Sequence, residues 1–136
     1  MIDPWVQQDS EIWLDGCNSV NMPRAYQKAM KAVAPYADRV TVLRLFSHHA
    51  AASFADGQLD HCYLDHNHGL EVMRADLPRY WAKVKPGGLL CGHDFYNRHD
   101  DWHDCGVEQA VREFCAERSL HFYTTPCTSW WVEKPV

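Results

Sequence analysis

The 136-residue chain lacks several features that would each define a class. No apolar run approaches the ~20 residues of a membrane span, so the sequence offers no membrane-spanning helix. The first thirteen residues, Met1 to Trp13, are acidic and have no apolar central region, which excludes a secretory signal peptide as their reading. Basic runs are absent. Thirteen Lys and Arg face 18 Asp and Glu, a formal net charge of −5. A general nucleic-acid binder needs a cationic surface to neutralise phosphates, so neither nucleic acid nor membrane is an expected partner. The six cysteines, at 17, 62, 91, 105, 115 and 127, contain no C-x-x-C pair, so neither a zinc ribbon nor a redox motif is present. Cys62 and Cys91 fall in apolar runs that read as buried strands, and a reduced chain in the cytoplasm is expected. There is no internal repeat, low-complexity segment or linker. Length and composition fit a single α/β domain over residues 1–136.

Short apolar runs alternate with helical patterns. Val40–Phe46 is β-branched and reads as a strand. His61–Leu64 and Leu89–Cys91 read as two more. Leu120–Thr124 and Ser129–Glu133 read as a closing pair turned at Pro126. Between them, Met22 to Val33 repeats at helical spacing with Pro23 in the first turn. Leu70, Met73, Leu77, Tyr80, Trp81 and Val84 form a longer stripe, Val107 to Phe114 a third, and Ala50–Phe54 a short helix. Lys85-Pro86-Gly87-Gly88 reads as a tight reversal between helix and strand. Such alternation builds a layered sheet with parallel strands and crossover helices.

Ligands of these sheets bind beyond the carboxyl ends of the strands. The residues following each strand are therefore the candidates. Asp3 follows Ile2, and Ser47-His48-His49 follow Phe46. Asp65-His66-Asn67-His68 follow Leu64, and Gly92-His93-Asp94 follow Cys91. If the last two strands are neighbours, Asp65 and Asp94 emerge side by side. Repelling carboxylates favour a divalent cation or a shared proton. Oxygen ligands suit Mg²⁺, Ca²⁺ or Mn²⁺, and an added His shifts the preference toward a transition metal. The competing reading of Asp65 is a helix cap, and that of Asp3 a turn starter. The polar stretch Arg98 to Cys105, with His99 and His103, reads as a loop over the ligand. His48, His49, His61 and His121 read as polar or satisfied histidines, and Trp130 and Trp131 as packing residues of the last strand.

With these motifs assembled, the chain resembles a class I S-adenosylmethionine-dependent methyltransferase of the small single-domain type. The resemblance rests on Asp60 to His68, Asp76, Trp81, Lys85-Pro86-Gly87-Gly88, Gly92-His93-Asp94-Phe95, Gly106 to Val111 and Ser129-Trp130-Trp131. It reaches upstream to Asp3-Pro4-Trp5 and to Arg39 through Ala51. It implies a Rossmann-like sheet, mostly parallel with an antiparallel C-terminal strand. It also implies N-terminal truncation, because the family's opening strand, Gly-rich loop and helix have no counterpart before Asp3. By the same resemblance Asp3 would hold the cofactor ribose, Ser47 the adenine edge, and Asp65 part of the cofactor site. Asp65 and Asp94 would hold a divalent cation, and His68 or His93 would be the general base. The implied reaction is methyl transfer from S-adenosylmethionine to an oxygen of a small molecule or sugar, with or without Mg²⁺ or another divalent cation. Two readings stay open beside it: a non-catalytic module of the same fold that forms homo-oligomers, and a metal-dependent hydrolase built on the Asp/His cluster.

Overall fold

A computed structural model describes residues 1–6, 21–96 and 105–136. Cys17, and the expected loop with His99 and His103, lie outside the described residues. The chain divides into two compact units, Met1–Ala50 and Ala51–Val136. None of the described helices is long and apolar enough to cross a membrane.

In the first unit, helix α1 spans Met22–Val33, as its periodicity predicts. The Asn21 side chain accepts the Arg24 N–H at 2.9 Å, and Pro23 occupies the first turn, where a missing N–H costs nothing. The expected strand at Val40–Phe46 does not form. Its pairing is a single parallel bridge, Ile2 to Leu43. The Leu43 N–H donates to Met1 O at 2.9 Å, and the Asp3 N–H to Leu43 O at 3.2 Å. β-Branched residues favour extended backbone, but a strand requires a continuing ladder. Here the ladder stops at Asp3, whose Oδ1 accepts the Trp5 N–H at 2.7 Å in a side-chain turn. Trp5 then has φ 44°. The short helix predicted at Ala50–Phe54 begins earlier and is in part 3-10: α2 spans Ser47–Ala50.

The second unit opens with a 3-10 turn at Ala51–Ser53. It then builds one four-stranded sheet from β1 (Leu59–Leu64), β2 (Val84–Gly92), β3 (Phe122–Thr124) and β4 (Trp130–Glu133). The spatial order is β1-β2-β4-β3. β1 and β2 are parallel, β4 is antiparallel to β2, and β3 is antiparallel to β4. Three strands thus share one direction, and the C-terminal strand opposes them, as expected. The register aligns Cys62, Leu90, Val132 and Phe122 in one row across the sheet. Helices α3 (Leu70–Lys83) and α4 (Val107–Glu117) complete the core. Met73, Leu77 and Tyr80 of α3 and Val107, Ala110, Val111 and Phe114 of α4 are buried with Leu90, Val132 and Trp130.

The Lys-Pro-Gly-Gly segment differs from its sequence reading. It lies inside β2 as an irregularity: the register jumps from Leu59 opposite Val84 to His61 opposite Leu89. Gly87, at φ 75°, supplies the left-handed residue that such a bulge needs. Its N–H still donates to Lys134 O at 2.8 Å, so the backbone of the bulge remains paired. The five described cysteines are free thiols. Burial pushes the Cys62 thiol up to about 12, with Cys91 and Asp76 nearby adding to the shift.

Candidate functional site

The parallel register places Leu64 opposite Gly92, so β1 and β2 end side by side. The residues that follow each strand therefore emerge next to each other. The His93 N–H donates to Leu64 O at 3.1 Å and ties the two strand ends together. One donor atom from each of Asp65, His68 and Asp94 lies within 4.8 Å of the others. His68 Nε2 is 2.7 Å from Asp94 Oδ2. His93 Nδ1 is 3.1 Å from Asp94 Oδ1. Asp94 is only 9% exposed, whereas Asp65 is exposed. A buried carboxylate thus has an imidazole on each oxygen, with a solvated carboxylate at the rim.

Asp65 does not cap the following helix. The N-cap of α3 is Gly69, without a side-chain cap bond. Its N–H instead meets Asn67 Oδ1 at 2.8 Å. The loop between Asp65 and Gly69 is held elsewhere too. The Gly106 N–H donates to His68 O at 2.8 Å, and Gly69 bridges Cys105. The Cys105 thiol donates to Asp94 O at 3.5 Å. Burial pushes that thiol up, and the Asp94 charge adds to the shift.

Two supports of this site were given no role by the sequence reading. Asp76 on α3 is 1% exposed and pairs with Arg79 and with His66 Nε2, the latter at 2.9 Å. His66 Nδ1 meets Asn67 O at 3.1 Å. Asp76 thereby anchors the loop between Asp65 and His68. The signal was present: Asp76 sits between Met73 and Tyr80 on the core-facing stripe, where an ionised side chain must have partners. Thr128 Oγ1, from the turn between β3 and β4, lies 3.1 Å from His93 Nε2. No sequence pattern marks it.

Asp3 and Ser47 belong to the first unit. Asp3 is exposed and forms the turn described above, and Ser47 opens α2. Asp65, His68, His93 and Asp94 belong to the second unit, and all four are brought together there.

The donor chemistry of Asp65, His68 and Asp94 fits a divalent cation. Two carboxylates neutralise its charge, and an imidazole widens the choice to first-row transition metals. Without a cation, the Asp94–His68 pair has the form of an oriented base.

Comparison with solved structures shows the same fold. A crystal structure of a Corynebacterium glutamicum protein aligns with a TM-score of 0.64 at 15% identity, covering 99% of this chain and 59% of that one. A candidate rRNA methylase from Clostridium thermocellum aligns with a TM-score of 0.58 at 15% identity, covering 96% of this chain and 70% of that one. A candidate exported protein from Bordetella parapertussis aligns with a TM-score of 0.53 at 15% identity, covering 84% and 51%. The chain thus spans between half and three-fifths of the first and third of these proteins. No curated protein matches the sequence. The family described as a methyltransferase domain matches residues 1–95, a stretch that includes Asp3, Ser47, Asp65, His68, His93 and Asp94. This chain belongs to the methyltransferase domain family.

Proposed function

We propose that the chain carries out S-adenosylmethionine-dependent O-methyl transfer to a small molecule or sugar. The observation that carries this reading is the convergence of Asp65, His68 and Asp94 at adjacent parallel strand ends, within a methyltransferase-family chain. Asp3, Ser47 and Asp65 are the proposed cofactor contacts. The exposed Asp3 carboxylate offers the acceptors that a ribose diol requires.

Methyl transfer from a sulfonium is an in-line displacement. The acceptor oxygen forms the new C–O bond as the C–S bond breaks, and the bond's electron pair leaves on sulfur. Most of the acceleration comes from positioning. A protonated hydroxyl is a poor nucleophile, so a group must accept its proton during attack. His68, oriented by Asp94, is the proposed acceptor of that proton. His93 bonds Asp94 through one ring nitrogen and Thr128 through the other, which suits it to orienting Asp94. A divalent cation held by Asp65 and Asp94 would lower the pKa of a bound hydroxyl.

Isothermal titration with S-adenosylmethionine tests the reading. Binding heat, followed by methylated product from a panel of catechols and sugars, supports it. No heat at millimolar cofactor overturns it. His68→Ala should lower kcat by about 10²-fold if His68 is the base, with KM for the cofactor unchanged.

A further inference from the structure

We infer that Thr128 is a positioning residue for Asp94, an inference that rests on the reading of Asp65, His68 and Asp94 as a cation-competent site. Two residues face each other across this corner with left-handed backbone, Asp94 at φ 61° and Thr128 at φ 65°. Aspartate tolerates that conformation, but a β-branched threonine is strained in it. Glycine or asparagine would relax a turn whose only task was to join β3 and β4. A threonine held there needs a reason in its side chain, and that side chain has one.

Thr128 Oγ1 lies 3.1 Å from His93 Nε2, and His93 Nδ1 lies 3.1 Å from Asp94 Oδ1. An ionised carboxylate only accepts, so Nδ1 carries the proton that reaches Asp94. In the neutral ring Nε2 then accepts from the Thr128 hydroxyl. The carboxylate sets that tautomer, and the hydroxyl engages the remaining ring nitrogen and holds the ring in place against Asp94 Oδ1, while Oδ2 faces His68. The Thr128 main chain works on the other side of Asp94: its carbonyl accepts the Phe95 N–H at 2.9 Å. The indole N–H of Trp130 donates to His93 O at 3.1 Å and holds the intervening backbone. One residue thus grips both neighbours of Asp94, one by side chain and one by main chain.

The test separates this role from mere turn stability. Mn²⁺ affinity is measured by isothermal titration, alongside the thermal midpoint, for the unmodified chain, Thr128→Ser, Thr128→Val and Thr128→Gly. Glycine relieves the backbone and removes the hydroxyl. It should leave the midpoint unchanged or raised while Mn²⁺ binding weakens about tenfold. Valine keeps the shape and should weaken Mn²⁺ binding to a similar degree. Serine keeps the hydroxyl and should bind like the unmodified chain. Thr128→Gly binding within about twofold of the unmodified chain overturns the inference and leaves the cation site standing. Affinity that falls only together with the midpoint, in the serine variant as well, also overturns it. No Mn²⁺ binding by the unmodified chain overturns the site reading and the inference together.

Discussion

Asp76 shows what one charged residue in a core stripe costs and does. Its carboxylate is almost wholly buried and is compensated by His66 and Arg79. Asp76→Ala leaves the Arg79 guanidinium, about one-third exposed, and the His66 ring without that acceptor. Removing one partner of a buried pair is strongly destabilising, and a loss of about 3 kcal/mol is expected in urea unfolding. A loss under about 1 kcal/mol would show that the pair holds nothing. At this scale, sequence reading was right about residue types and incomplete about partners. It placed Asp65, His68, His93 and Asp94 at strand ends because strand polarity is local. It gave Asp76 no role, because a helical stripe says which way a side chain faces and not what it meets.

Among the elements, α3 and α4 hold the loop bearing His68, and two contacts between them are open to test. Arg74 of α3 reaches Glu113 of α4 through Nε at 2.8 Å and Nη2 at 2.9 Å. Bonds from Arg74 first, then Gln109, hold the Glu113 carboxyl at about 2, below its ordinary 4.5. A lowered carboxylate contributes stability that is complete above the ordinary value and is lost as pH falls toward about 2. Carbon NMR should find Glu113 titrating well below the ordinary glutamate value of 4.5, and Arg74→Met should move it back toward that value. The second contact is the closeness of the two helix starts. A Cβ on Gly106 would lie 2.4 Å from Leu70 Cα, a distance that forces backbone to move. Gly106→Ala should destabilise by about 1–3 kcal/mol in urea. Because the Gly106 N–H holds His68 O, it should weaken Mn²⁺ binding as well. The helices themselves were legible from apolar spacing. The strand expected at Val40–Phe46 was not, because β propensity reports an extended backbone and pairing depends on a distant partner.

For the whole molecule, the cation site makes ligand and stability one quantity. A species that binds only the folded state stabilises it in proportion to the logarithm of one plus the ratio of its free concentration to its Kd. With a Kd of about 100 µM, about 1 mM Mn²⁺ adds about 1.4 kcal/mol, which corresponds to a thermal midpoint about 5 °C higher. A chelator should reverse the shift. An unchanged midpoint at about 10 mM Mn²⁺ would remove the cation from the proposed chemistry. The sheet order β1-β2-β4-β3 carries this prediction, because it makes the strands before Asp65 and Asp94 immediate parallel neighbours.

The residues alone determined a mixed α/β layering, its three longer helices, the closing hairpin and the polar strand ends, since each depends on periodicity or turn chemistry within a few positions. Only the tertiary structure decided that Leu64 and Gly92 stand in register, that Asp76 reaches His66, and that a strained threonine in a distant turn reaches His93. Those contacts join residues from 10 to 35 positions apart, counting His66 to Asp76 and His93 to Thr128. Local pattern has no term for such distances, because the backbone direction that closes them is set by packing.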